Sequence, residues 1–197
     1  HGLDGYANQQ HIKQRIAATP ELSICQAVLK DDPAHKGIGR ATHFVSWWLG
    51  TPLADVLSAL EAYEAAQPPR TKKEGPIIWW VCDFSIPQNK TRQPISRLPL
   101  IVKAIGHTVM LLDPWNDPWT LKRIWCLWEV LQTEASRSKF EVVMSASQAA
   151  AFEKVLVEEF DRIAGAVGAV DVREASAFNP ADREMIMGKM EEMAGAT

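Results

Sequence analysis

The chain has 197 residues, 47% hydrophobic and 23% charged, enough for one well-buried domain and short for two. Those proportions exclude a disordered or fibrous chain. Lys plus Arg (21) against Asp plus Glu (24) leaves a net charge of -3, with no basic footprint for nucleic acid.

The first 39 residues are polar, broken by Pro20, Pro33, Gly37 and Gly39, and read as an extension before a single domain over 40–197. Within them, 21–30 (ELSICQAVLK) suits a short helix or strand. The chain opens with His rather than Met, as a piece of a longer protein does. ATHFVSWW (41–48) is a short apolar run rich in β-branched and aromatic residues, a buried strand. After Thr51-Pro52, a helix start signal, Leu53, Val56, Leu57, Leu60 and Tyr63 recur at helical spacing. A Pro-rich break at 67–76 leads to IIWWVCDF (77–84), a second strand, and then to the polar loop 85–97. LPLIVKAIG (98–106) predicts a helix ended by Gly106. HTVMLLDP (107–114) is a third strand, 119–135 a strong helix and KFEVVMS (139–145) a fourth strand. An amphipathic helix over 149–166 and a short strand near Ala169–Val172 follow. The last helix has Asn179 as N-cap, Pro180 at its first position and Asp182 in its first turn.

Short, continuously apolar strands alternating with helices predict a three-layer α/β domain of about five parallel strands, covered on both faces. Ligands of such sheets bind beyond the carboxyl ends of the strands. All eight tryptophans lie between 47 and 128, and most fall near those ends; Trp79 and Trp80, inside a strand, are expected in the core. The longest apolar run, Pro76 to Cys82, has seven residues, far below the roughly 20 that span a bilayer. With no signal segment at its start, the chain is expected to be cytoplasmic. Three scattered cysteines (Cys25, Cys82, Cys126) argue against a disulfide framework or a zinc site.

Absent motifs narrow the chemistry. No GxGxxG follows a strand, and there is no P-loop lysine, HExxH or GxSxG. The five histidines have no ligand spacing, and His43 and His107, each opening a strand, suit structural roles. Metal catalysis and Ser-His hydrolysis are poor candidates. Glu129 stands out, because it follows Ile124-Trp125-Cys126-Leu127-Trp128 and precedes Val130-Leu131 on a helix apolar almost all round. Burial raises the pKa of such a carboxylate, which is retained for a partner or a task. The partner would be Lys122, Arg123 or Arg92. Asp83 and Asp113 end strands, where each can bind a ribose hydroxyl or cap its own loop. Ser46 is open to the same two readings.

Three segments resemble a TIR domain, of the divergent type in algae, fungi and other microbial eukaryotes. Ala41-Thr-His-Phe-Val-Ser46 stands where that family has its first strand. Trp79-Trp80-Val-Cys-Asp83-Phe84 stands for the second strand, with Ser85 to Arg97 as the long loop after it. Trp125-Cys126-Leu127-Trp128-Glu129 is close to the WCLxE signature of plant TIR domains. The resemblance covers about 40–145 well, the C-terminal third loosely and 1–39 not at all. It implies a flavodoxin-like fold and cleavage of NAD, as substrate rather than cofactor, to nicotinamide and ADP-ribose or a cyclic form. Glu129 would be the catalytic carboxylate. Ser46, Trp47 and Trp48 would line the pocket from the first loop, Asp83 and Phe84 from the second, with Trp125 beside the glutamate. Self-association through TIR–TIR contacts is implied too. The chain departs from the family at Trp47-Trp48, where many members have an aromatic–Arg pair, and the second loop lacks the usual Gly. That loop does offer Lys90, Arg92 and Arg97 to a pyrophosphate. Two other readings stay open. One is a silent signalling adaptor, which predicts Glu129 paired to a cation with no cleft beside it. The other is an N-glycosidic enzyme resembling nucleoside deoxyribosyltransferases.

Overall fold

Four strands, β1 (His43–Ser46), β2 (Trp79–Trp80), β3 (His107–Leu111) and β4 (Lys139–Val143), form one all-parallel sheet ordered β2-β1-β3-β4. This is a computed structural model, and it describes residues 2–89, 97–158 and 170–195. In chain order the helices are α1 (Gly5–Arg15), α2 (Ile24–Asp31), α3 (Leu53–Ala66), the single turn α4 (Cys82–Ser85), α5 (Arg97–Ile105), α6 (Ile124–Ala135), α7 (Ala146–Glu158) and α8 (Pro180–Gly195).

Alternation along β1 builds two cores, because neighbouring strand residues point to opposite faces. Phe44 meets Leu98 and Val102 of α5, Ile124, Leu127 and Trp128 of α6, and Ile186 of α8. Val45, with Leu111 of β3, meets Val56, Ala59 and Leu60 of α3. The result is the three-layer α/β arrangement that short apolar parallel strands require. No helix among the described residues is long and apolar enough to cross a membrane.

Several expected boundaries move. The sheet has four strands among the described residues, not about five. Near the strand expected at 169–172, Val170 and Asp171 pair with no strand, and Val172–Glu174 is a 3-10 turn. The Asp171 carboxylate accepts from the Arg173 amide at 2.9 Å, a local bond that competes with a sheet ladder. The second strand shrinks to Trp79–Trp80, since Ser85 N–H donates to Val81 O and Ile86 N–H to Cys82 O, closing the α4 turn. The helix expected over 119–135 divides at Arg123, whose backbone is extended, into a 3-10 turn (Trp119–Lys122) and α6. Lys90, Arg92 and the end of the helix expected over 149–166 lie outside the described residues. Gly106 does end α5, at φ 75°, in the left-handed region that glycine tolerates.

Residues 2–39 are built onto the sheet domain. Asp4 caps α1 by accepting from Ala7 N–H at 2.8 Å, and Ser23 with Gln26 forms a reciprocal capping box on α2. Ile12 and Ile16 are buried. Gly5 N–H donates to Leu49 O at 2.7 Å, and a Cβ at Gly5 would stand 2.6 Å from the Trp47 ring. Only glycine permits that approach.

The amino ends of the strands hold a polar network. The His43 and His107 rings lie 4.2 Å apart, and the Tyr63 hydroxyl donates to Glu141 Oε2 at 2.5 Å. Although burial alone pushes Glu141 up, hydrogen bonds from Lys139, Tyr63 and His107 bring it down to about 2. Burial lowers His43 to about 4 from an ordinary 6.5, and burial lowers His107 as well. A histidine with a lowered native pKa stabilises the fold above 6.5 and loses that contribution as pH falls toward 4. Thermal melts across this window should show a loss of stability from which His43→Phe removes roughly 1–3 kcal/mol. Identical acid slopes for both proteins would exclude His43 as the cause.

Candidate active site

The strand order reverses between β1, which leads outward to β2, and β3, which leads to β4. Crossovers depart from such a point in opposite directions and leave a crevice beyond the carboxyl ends of the strands. Ser46 is the last residue of β1 and is fully buried.

Helix α6 faces the crevice with one side. Ile124, Leu127, Trp128 and Leu131 repeat at helical spacing and pack into the core. Trp125 and Glu129, one turn apart, line a cavity of about 610 Å³ together with Cys126, Trp47, Trp80 and Cys82. That volume lies in the roughly 300–1,000 Å³ range of small-molecule sites. Two bonds fix the helix behind it: Thr133 Oγ1 donates to Glu129 O at 2.7 Å, and the Thr133 and Thr108 hydroxyls meet at 2.8 Å. Cys126 Sγ donates to Trp47 O at 3.5 Å, joining α6 to the segment after β1.

Ser46 Oγ donates to Glu129 Oε2 at 2.5 Å. Burial pushes the Glu129 carboxyl up to about 8, and the serine bond offsets part of that rise. Among the described residues Glu129 has no ion-pair partner. Lys122 is taken by Asp117 at 2.5 Å, Arg123 lines the cavity with no carboxylate partner among the described residues, and Arg92 lies outside them. A carboxyl so placed has a protonation state that a cationic ligand can reset. Burial also raises Cys82 and Cys126 well above the ordinary value, leaving both as thiols.

The expected site residues therefore divide. Glu129, Trp47 and Trp125 meet at the cavity, with Ser46 behind the glutamate. Trp48 faces elsewhere. It stacks on Trp119 at 5.0 Å between centroids and borders a second cavity of about 510 Å³. Asp83 is 0% exposed and accepts from Gln9 Nε2 at 2.9 Å and Asn8 Nδ2 at 3.2 Å, so it fastens α1 and does not line the cavity. Burial raises its pKa, partly offset by those amides. Phe84, on the α4 turn, is 37% exposed and also off the cavity wall. Asp113 accepts from Ser145 Oγ at 2.7 Å, a local structural bond.

Sequence reasoning missed Gln9 and Lys13 on the cavity wall, placed Trp80 only in the core and named Arg123 only as a partner for Glu129. Trp80 also stacks on Phe44 at 4.6 Å, so its core role and its wall role coexist. The Ser23-x-x-Gln26 capping box could have revealed that the N-terminal segment is helical. No metal-holding group of three or more His, Cys, Asp or Glu occurs among the described residues. No family model, curated protein or solved structure matches the chain.

Proposed function

We propose that this protein cleaves the nicotinamide–ribose bond of NAD, with Glu129 as the catalytic carboxylate. One observation carries the reading: a glutamate with no ion-pair partner among the described residues, held by Ser46 at the rim of an aromatic-lined cavity at the strand switch point. The adaptor reading expects the opposite on both counts, a paired glutamate and no cleft.

The chemistry suits one carboxylate. Nicotinamide in NAD is a cationic leaving group, so the C1′–N1 bond breaks with its electron pair passing to the ring and no general acid. Ionised Glu129 stabilises the oxocarbenium character at C1′. Water then adds to C1′ and releases one proton, giving ADP-ribose; attack by an adenine nitrogen gives the cyclic product. Trp47 and Trp125 offer π faces to the cationic ring. Assembly into oligomers, with activity rising more than linearly with protein concentration, belongs to the same proposal.

The test is nicotinamide release by purified protein, with purine and pyrimidine nucleosides as competing substrates. Release from nucleosides but not from NAD would transfer the site to nucleoside chemistry. The pH profile is a second check. kcat/KM reports the free protein, so it should climb through about 8 as Glu129 ionises. The profile of kcat should ionise at lower pH, because bound pyridinium favours the carboxylate. Ser46→Ala removes the bond that lowers the Glu129 pKa and should move the kcat/KM limb to higher pH. A flat kcat/KM from about pH 6 to about 9 would sink the ionisation role.

A further inference from the structure

We propose that helix α1 completes this site, with Lys13 joining Arg97 and Arg123 to seat the diphosphate of a nucleotide whose glycosidic bond lies at Glu129. The position of the reacting bond rests on the NAD-cleavage reading; the diphosphate seat stands on its own observations.

Lys13, Arg97 and Arg123 border the same cavity as Glu129, although they come from α1, the start of α5 and the residue before α6. None has a carboxylate partner among the described residues. Lys122, close by, is taken by Asp117 and lies over the Trp119 ring, so it is not counted with them. The carboxyls facing the three cations across the cavity are Asp182 and Glu129, and Glu129 is neutral below about 8. At neutral pH the cavity is therefore positive within a chain of net charge -3. Helix α6 begins at this wall with no side-chain cap, so its positive end adds to the field.

Lys13 is also held in place. Its helix is fastened through Asn8 and Gln9 to Asp83, its backbone carbonyl accepts from Asn89 Nδ2 at 3.1 Å, and Gly5 sits tight on Trp47. Gln9 and Lys13, one turn apart, both line the cavity. Three cations with no carboxylate partner among the described residues, beside aromatic side chains, fit a nucleoside diphosphate: the rings take the base, and the cations take the non-bridging oxygens of the diphosphate. In a dinucleotide one ribose separates that bridge from the glycosidic carbon, so both ends share one cavity.

Calorimetric titration with ADP and with adenosine tests the seat without any turnover. The wild type should bind ADP at least about tenfold more tightly than adenosine, with the preference shrinking as salt rises. Lys13→Gln should reduce ADP affinity about five- to tenfold and leave adenosine affinity and the melting temperature unchanged. Arg123→Gln should act in the same direction. Equal affinity for ADP and adenosine, or ADP binding indifferent to both substitutions, overturns the proposal. A Lys13-dependent ADP preference in a protein that releases no nicotinamide keeps the diphosphate seat and removes the NAD-cleavage reading.

Discussion

Glu129→Gln should abolish nicotinamide release, by ~10³-fold or more, while making the protein more stable above neutral pH. Both effects come from one cause. The carboxyl is buried with a single hydroxyl donor, and burial lifts it from an ordinary 4.5 to about 8. Below 4.5 the folded and unfolded chains both hold the proton, so the burial costs nothing through ionisation. Between 4.5 and about 8 only the unfolded chain releases it, and the folded state loses stability steadily. Above about 8 the full penalty stands, roughly 2–4 kcal/mol after allowance for partial solvent contact. Glutamine fills the same space with no ionisation, so melts above about pH 8 should place the variant roughly 5–10 °C higher. That advantage should vanish below 4.5. A variant that is inactive yet no more stable would mean the native carboxyl is relieved by something other than protonation. Equal nicotinamide release by the two proteins would remove Glu129 from the mechanism.

Asp83→Ala has the second large effect, on the fold first and on the site through it. The carboxylate is fully buried and receives two amides from α1, Asn8 Nδ2 and Gln9 Nε2. Truncation leaves the buried Asn8 amide and the half-buried Gln9 amide without an acceptor and opens a small void, costing ~2–4 kcal/mol, or roughly 5–15 °C in melting temperature. With its fastening gone, α1 should no longer hold Gln9 and Lys13 at the wall, and KM for NAD should rise. Asp83→Asn keeps one acceptor oxygen and should recover part of the stability. A ribose-binding aspartate behaves differently: its alanine variant loses nucleotide affinity at an unchanged melting temperature. Measuring both quantities on both variants separates the roles.

Much of the fold was legible because parallel strands buried on both faces leave continuous apolar runs, as at His43–Ser46 and His107–Leu111. Helix α6 was legible for its length and apolar surface, though not for its start at Ile124, and Glu129 because a carboxylate breaks that surface. Asp83 was not. Its environment is made by Asn8 and Gln9, 75 and 74 residues away, and no local pattern carries such a contact. Cys82, Asp83 and Phe84, expected to end a strand, form a helical turn with Ser85. Trp48 is instructive in another way. Adjacent residues of an extended chain point to opposite sides, so Trp47 and Trp48 could not both face one pocket, and this was readable from their adjacency. The fifth strand failed because Asp171, inside the run expected at Ala169–Val172, takes a backbone amide for a local turn. Lys13 carried no signal at all, since a lysine on a polar helix looks solvated until the helix is docked.

The bond between Ser46 and Glu129 spans 83 residues of chain. During synthesis β1 and then β3 leave the ribosome before α6 exists, so a nascent chain halted after Leu111 holds the serine and the sheet centre but no carboxylate. The proposed activity therefore waits for α6 to close on β1. A fragment that stops before α6 carries the serine without the proposed catalytic carboxylate.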